Sequence, residues 1–109
     1  MNYIYCLIDP ITKIVRYVGN TKNPKSRYKQ HLKDAEKRYK TQKQIWIREL
    51  KLKNLAPYME IVKSIENDED ARKEEEKQVI KHIKTVFNIH LPGKGSKSVS
   101  HYIKTGKTK

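Results

Sequence analysis

The sequence is poor in the residues that mark secreted, membrane-spanning or zinc-binding proteins. Its 109 residues include one cysteine, Cys6, which excludes an internal disulfide framework and a zinc site built from four cysteines. The four histidines lack metal-ligand spacing. No apolar run approaches the roughly 20 residues of a membrane-spanning helix, and the first residues lack the pattern of a signal peptide. We therefore expect one small domain inside the cell, without membrane contact.

Acidic residues are scarce outside one short segment. Lysine and arginine total 25 against 12 acidic residues, which gives a net charge of +13. Residues 60–76 carry three basic and eight acidic residues, whereas residues 77–109 carry eight lysines and no acidic residue. A chain this basic favours a polyanionic partner, most commonly nucleic acid. The acidic residues at 68–70 suit the first turn of a helix, where the helix dipole favours negative charge.

The pattern of apolar and turn-forming residues is typical of a small α/β domain. The predicted strands span residues 3–8, 14–18 and 58–62, and the predicted helices span about 24–38, 43–53 and 68–85. This order of elements predicts a small, largely antiparallel three-stranded sheet flanked by three or more helices. We expect the domain to span residues 1–95 and to be followed by a basic tail at 96–109.

Two further patterns place candidate site residues. Folding the first two strands about Ile11 pairs Tyr5 with Tyr17 and puts both tyrosines on one face of the sheet. On the third helix, Glu76 lies one turn before Ile80, so its carboxylate is expected to face inward and to be partly shielded from water. A shielded carboxylate needs a partner or a metal ion.

Several other residues are expected to be structural. Cys6 lies in a strand and is expected in the core rather than as a nucleophile. Gly93-Lys94-Gly95 lacks the upstream glycine of a phosphate-binding loop. Trp46 and Tyr28 are expected to pack within the domain rather than to stack on bases.

The order of the remaining polar residues resembles the GIY-YIG nuclease domain. The matching residues are Tyr3-Ile4-Tyr5, Tyr17-Val18-Gly19, Arg27, His31, Glu76 and Asn88. The resemblance covers residues 3–95 and is similar in look to the catalytic domains of phage homing and excision-repair endonucleases. Three positions depart from the family pattern: Tyr3 replaces a glycine, Asn20 a lysine of repair members, and Lys40 a histidine of homing members.

The resemblance implies a GIY-YIG-like fold and hydrolysis of DNA phosphodiester bonds with one divalent cation, Mg²⁺ or Mn²⁺. By the resemblance, Glu76 holds the ion and Arg27 stabilises the charge that develops on the phosphate. Arginine suits this role because it stays cationic and presents five donors. One of Tyr5 and Tyr17 accepts the proton of the attacking water while the other positions it.

The resemblance also gives supporting roles to two residues and a setting to the whole chain. His31 orients the water or a tyrosine hydroxyl, and Asn88 fixes the surroundings of Glu76 or a backbone turn. The setting implied is the cytoplasm of a bacterial or phage-infected cell. The lysines expected to contact DNA phosphates are Lys22, Lys25, Lys29, Lys40 and Lys43.

Other interpretations remain open at this point. One is a non-catalytic, basic nucleic-acid-binding module on a degenerate nuclease fold, and another is a basic protein that binds an acidic partner. A different nuclease class uses a Glu-x-Lys pair, which Glu75-Glu76-Lys77 matches. That class carries the pair on a strand, whereas on a helix Glu75 and Lys77 point about 200° apart, so the match is interpreted as accidental.

Overall fold

The structure is a computed structural model that describes residues 1–37 and 41–88. In chain order the elements are β1 (Asn2–Ile8), β2 (Val15–Thr21), α1 (Pro24–Asp34), α2 (Gln42–Leu52), β3 (Tyr58–Ile65) and α3 (Asp68–Lys81). The strands form one antiparallel sheet in the order β2-β1-β3. The α/β fold with a three-stranded sheet and three helices is therefore confirmed. The basic tail expected at 96–109, as well as Lys40, lies outside the described residues.

Each helix begins at a side chain that caps its free backbone N–H groups. Asn23 Oδ1 accepts a hydrogen bond of 3.1 Å from the backbone three residues on, and Pro24 occupies the first position of α1. Thr41 opens α2 through a reciprocal capping box with Gln44. Asn67 caps α3 in the same way. In the described part of the chain, no helix has the length and apolar character that crossing a membrane requires.

Two helices end earlier than the sequence pattern predicts. The prediction extends α1 to about residue 38 and α3 to 85, but the helices end at Asp34 and Lys81. Beyond each end the backbone hydrogen bonds shorten to three-residue steps, as between the N–H of Glu36 and the carbonyl of Lys33. Beyond α3, the N–H of Phe87 donates to a carbonyl of β2, which turns the chain back toward the sheet.

The sheet separates two buried clusters. The cluster under α3 contains Ile4, Cys6, Val18, Ala71, Val79 and Ile83. The cluster under α1 and α2 contains Tyr5, Leu7, Ala35, Trp46, Ile47 and Leu50. Cys6 is thus a core residue, and Trp46 packs inside the domain, where its indole N–H donates to Asp9 at 2.9 Å.

The predicted pairing of Tyr5 with Tyr17 is wrong, although the predicted shared face is right. In the structure Tyr5 pairs with Gly19 and Leu7 pairs with Tyr17, and the register shifts between Leu7 and Ile8. The irregularity arises beside a turn in which the Asp9 carboxylate accepts two backbone N–H groups. Beyond it, the pairing is displaced by two residues, and an even displacement keeps each side chain on its face.

Candidate active site

Three aromatic side chains meet on the sheet face that α1 and α2 cover. Tyr5 Oη lies 2.6 Å from His31 Nε2, in a buried hydrogen bond. The ring centroids of Tyr5 and Tyr17 are 6.4 Å apart, and those of Tyr17 and His31 are 5.1 Å apart. The structure therefore brings together three of the residues singled out in the sequence. We refer to Tyr5, Tyr17 and His31 as the aromatic cluster.

His31 is fully buried on α1 and is neutral at physiological pH. Burial, followed by the nearby charges of Lys43 and Arg27, lowers the pKa of His31 from 6.5 to about 3. Its Nδ1 has no hydrogen-bond partner among the described residues. The hydrogen bond between the neutral imidazole and the Tyr5 hydroxyl holds that phenol in a fixed orientation.

Arg27 lies on α1, four residues before His31, and is half-buried beside both phenols. Burial, with the charge of Tyr17 adding to it, raises the pKa of Tyr5 far above its ordinary value, and the Arg27 guanidinium opposes that rise. Burial also raises the pKa of Tyr17, and Arg27 again opposes the rise. Of the groups that shift the pKa values of Tyr5 and Tyr17, Arg27 is therefore the one that favours the phenolate form of both.

The inward carboxylate of α3 belongs to Glu75, so the prediction that Glu76 faces inward is wrong. Glu76 is exposed, and so is Ile80, at 39%. The inward side of α3 and of the turn after it repeats every four residues through Ala71, Val79 and Ile83, which are buried, and Glu75, which is half-buried. Ile80 lies outside this stripe. The sequence-based prediction takes Ile80 as inward-facing and therefore selects Glu76, one turn before it, as the inward glutamate instead of Glu75.

The three consecutive glutamates of α3 have different surroundings. Glu74 accepts a hydrogen bond from Gln78 and lies 3.8 Å from Lys63. Burial raises the pKa of Glu75, while a hydrogen bond from Asn20 opposes the rise. The Glu75 charge lies close enough to the aromatic cluster to raise the pKa of both tyrosines. Of the three, Glu75 alone is thus directed at the site.

Gly19 gives the Tyr5 phenol its place. A Cβ at position 19 would overlap the Cζ and Oη atoms of Tyr5, which lie directly over the β2 backbone. The reason for glycine is therefore close approach of a side chain. Next to it, Asn20 carries a buried Oδ1 with no hydrogen-bond partner among the described residues.

Asn88 fixes the β2 backbone and has no hydrogen bond to the aromatic cluster among those the structure describes. Its Oδ1 accepts from the N–H of Val18 at 3.0 Å, and its Nδ2 donates to the carbonyl of Val18 at 2.8 Å. Val18 directly precedes Gly19, so this pair of bonds holds the strand where the Tyr5 phenol lies against it. Asn88 therefore positions the site through the backbone.

The lysines expected at DNA separate into two groups. Lys43 Nζ lies 4.6 Å from the Tyr17 ring centroid and is half-buried, so it belongs to the site. Burial, followed by the charge of Arg27, lowers the pKa of Lys43. Lys22, Lys25 and Lys29 are exposed, in keeping with phosphate contacts. The sequence-based predictions do not place Lys43 beside Tyr17 or Glu75 next to the two tyrosines. The four-residue repeat of α3 could have identified Glu75 as the inward glutamate.

The site combines groups of opposite charge around two phenols. A guanidinium and an ammonium on one side can bind a phosphate, and a carboxylate with a neighbouring amide oxygen can bind a hard cation.

Comparison with models of known protein families gives one match. A family model described as the GIY-YIG catalytic domain matches residues 1–90, a range that contains the sheet, α1 to α3 and the whole site. Searches of curated proteins and of solved structures found no match.

Proposed function

Because this chain belongs to the GIY-YIG family of nuclease domains, we propose that it is a metal-dependent DNA endonuclease that hydrolyses phosphodiester bonds at the aromatic cluster. One observation carries the proposal. The Arg27 guanidinium and the Glu75 carboxylate act on the same two phenols, so a phosphate site and a cation site adjoin one potential proton acceptor.

Arg27 is proposed to bind the scissile phosphate. A phosphodiester carries one negative charge, and attack by water adds a second on the phosphoryl oxygens. A half-buried guanidinium stabilises that charge more strongly than an exposed one, because the local dielectric is lower. Lys43, over the face of Tyr17, adds a second cation on the same side.

The residues around Glu75 fit one Mg²⁺ or Mn²⁺ ion. Glu75 supplies a half-buried carboxylate, and Asn20 Oδ1 is a buried oxygen that accepts no hydrogen bond from the described residues. Mg²⁺ prefers oxygen ligands and keeps several waters, so one or two protein oxygens suffice. Residues 1–37 and 41–88 contain no group of three His, Cys, Asp or Glu side chains placed to share an ion. When bound, a divalent ion stabilises the departing oxygen and acidifies bound water.

Tyr17 is proposed as the proton acceptor and Tyr5 as the positioning residue. Tyr5 is 1% exposed and its hydroxyl is hydrogen-bonded to His31, whose pKa of about 3 makes it a poor acceptor for the Tyr5 proton. Tyr5 therefore remains a neutral phenol. Tyr17 is more accessible to water than Tyr5, so it can meet the attacking water. Burial raises the pKa of Tyr17 as well, and the neighbouring Arg27 opposes that rise.

The test is conversion of supercoiled plasmid to nicked or linear DNA in Mg²⁺, with chelator as the control. Glu75→Gln is expected to abolish cleavage and Arg27→Ala to lower it at least about a hundredfold, while Glu76→Gln, changed at the neighbouring exposed position, retains it. Calorimetric titration with Mn²⁺ should show binding that Glu75→Gln loses and Glu76→Gln keeps. If Glu76→Gln loses cleavage and Glu75→Gln keeps it, the metal ligand is Glu76 rather than Glu75. DNA binding without cleavage in Mg²⁺, unchanged by chelator, would favour the non-catalytic module.

A further inference from the structure

An apolar pocket lies between α1 and the start of β3. It measures about 410 Å³, and its lining includes Lys25, Tyr28, Lys29, Tyr58, Met59 and Ile61. At about 100° per residue, Lys25 and Lys29 lie about 160° around α1 from Arg27, whereas Tyr28 lies about 100° from it. The pocket therefore lies on a flank of α1 next to the one that faces the aromatic cluster.

The pocket exists because β3 is an edge strand that α1 does not cover completely. Met59 and Ile61 form its floor, and Tyr28 forms a wall held by a hydrogen bond of 2.7 Å from its hydroxyl to the carbonyl of Pro57. Tyr58 and Ile61 remain 61% and 43% exposed. Contiguous exposed aromatic and aliphatic surface of this kind marks binding sites on soluble proteins.

The charge around the pocket selects its occupant. The polar groups on its rim are the ammonium groups of Lys25 and Lys29, both exposed, and none of the described lining residues is acidic. A ligand that fits therefore has an apolar, planar part for the pocket and negative charge for the rim. A nucleotide has both, because its base presents a π-face and its phosphates bind lysine.

Resting on the nuclease function proposed above, we propose that this pocket binds an unstacked nucleobase of a single-stranded DNA segment next to the cleavage site. Tyr58 provides the stacking surface, the Tyr28 ring provides the wall, and Lys25 and Lys29 contact the flanking phosphates. Duplex DNA keeps its bases stacked and gains only the lysine contacts.

The pocket lies close enough to the candidate site for one DNA strand to reach both. Ile61 pairs with Tyr5, which in turn pairs with Gly19, so the pocket floor lies two strand spacings from β2. Two spacings amount to about 10 Å across the sheet. The base in the pocket would thus belong to a nucleotide near the scissile phosphate.

The test measures DNA binding in chelator, so that it does not depend on cleavage. Fluorescence anisotropy compares a single-stranded oligonucleotide with its duplex for Tyr58→Ala, Tyr58→Phe and Leu52→Ala. Leu52 is an apolar residue of α2 that is 82% exposed and lies outside the pocket. We expect Tyr58→Ala to weaken single-strand binding about tenfold and duplex binding less than twofold. Tyr58→Phe, which keeps the ring, and Leu52→Ala should bind both DNAs as the unchanged protein does.

Photo-cross-linking identifies the contact directly. An oligonucleotide with 5-iodouracil at successive positions should cross-link to Tyr58 or Tyr28. Cross-links confined to other residues, or equal losses for single-stranded and duplex DNA in Tyr58→Ala, would overturn the proposal. So would a dimer, detected by sedimentation, that Tyr58→Ala dissociates without changing the affinity for single-stranded DNA. A protein that cleaves plasmid normally in Tyr58→Ala and binds single strands unchanged would lose the pocket but keep the nuclease function.

Discussion

The face of the sheet under α3 buries aliphatic side chains and one cysteine, whereas the face under α1 and α2 buries Tyr5 and His31 among its apolar residues and half-buries Tyr17. Both faces are well shielded from water, but among the described residues only the second buries a hydrogen-bonded pair of titratable side chains, Tyr5 and His31. The comparison teaches that one face serves packing, while the other also holds the side chains of the candidate site. Glu75 links them, because it belongs to the buried stripe of α3 yet acts on the tyrosines.

Substitution of Arg27 is the strongest test of this difference between the two faces of the sheet. Arg27→Ala removes the half-buried cation beside both phenols and is expected to lower the cleavage rate by about 10²–10³-fold. The unfolding midpoint should change little, since no apolar contact of either buried cluster is removed. Plasmid cleavage and urea unfolding measure the two effects. The control is Arg72→Ala, a half-buried arginine near the start of α3 that pairs with Glu69, and equal loss of rate in the control would contradict a specific role for Arg27.

The opposite result is expected on the other face. Val79 is fully buried under α3, and Val79→Ala removes two methyl groups and leaves a cavity. We expect the free energy of unfolding to fall by about 2 kcal/mol. The cleavage rate per folded molecule should stay the same at temperatures where the variant remains folded. A loss of rate as large as that of Arg27→Ala, without unfolding, would break the distinction between the faces.

His31 makes the reactive face sensitive to acid. Burial, with Lys43 and Arg27, depresses its pKa to about 3 from 6.5, so the unfolded chain binds more protons between these values. The stability due to the depressed pKa is fully present above pH 6.5 and is lost as the pH falls toward 3. Between pH 6.5 and 5 the loss should be about 1.5 kcal/mol. Urea unfolding at several pH values measures it, and His31→Gln should remove this part of the pH dependence. The same pH dependence in both proteins would contradict a buried neutral imidazole.

The smallest effect is expected where Asn88 fixes β2. Asn88→Ala breaks both hydrogen bonds to the backbone of Val18 and should cost about 1 kcal/mol of stability. The cleavage rate should fall by less than in Arg27→Ala, because Asn88 acts through the strand. Asn88→Asp keeps the acceptor for the Val18 N–H, so its free energy of unfolding should lie between those of the unchanged protein and Asn88→Ala. A rate unchanged in Asn88→Ala would show that the strand holds its position without these bonds.

More of the fold than of the candidate site could be predicted from the sequence. Asn23 with Pro24, and Asn67 with its acidic first turn, predict helix starts from local chemistry that tertiary packing does not override. The hairpin register depends on an irregularity beside the Asp9 turn, which no local pattern in the strands indicates. The shared face of Tyr5 and Tyr17 could still be predicted, because the displacement is even.

The site residues that sequence reasoning missed depend on packing between elements. Three consecutive glutamates leave the choice to the apolar stripe of α3, and Ile80 is apolar without being buried. Lys43 lies on the ring of Tyr17 only because α2 packs beside α1, a relation that spacing along the chain does not give. The lysine count predicts a charge interaction with DNA, but the burial of one of these lysines follows from the tertiary structure.

The contact between Gly19 and the Tyr5 phenol ties the evolutionary fates of two positions on neighbouring strands. A side chain can enter position 19 only if the ring at position 5 is lost or turned away, and a smaller residue at position 5 leaves a void that a larger residue at 19 can fill. On the proposed function, descendants of this chain that lose cleavage are free to exchange the pair together. Those that keep cleavage are expected to keep both residues, so the pair should distinguish active from degenerate copies.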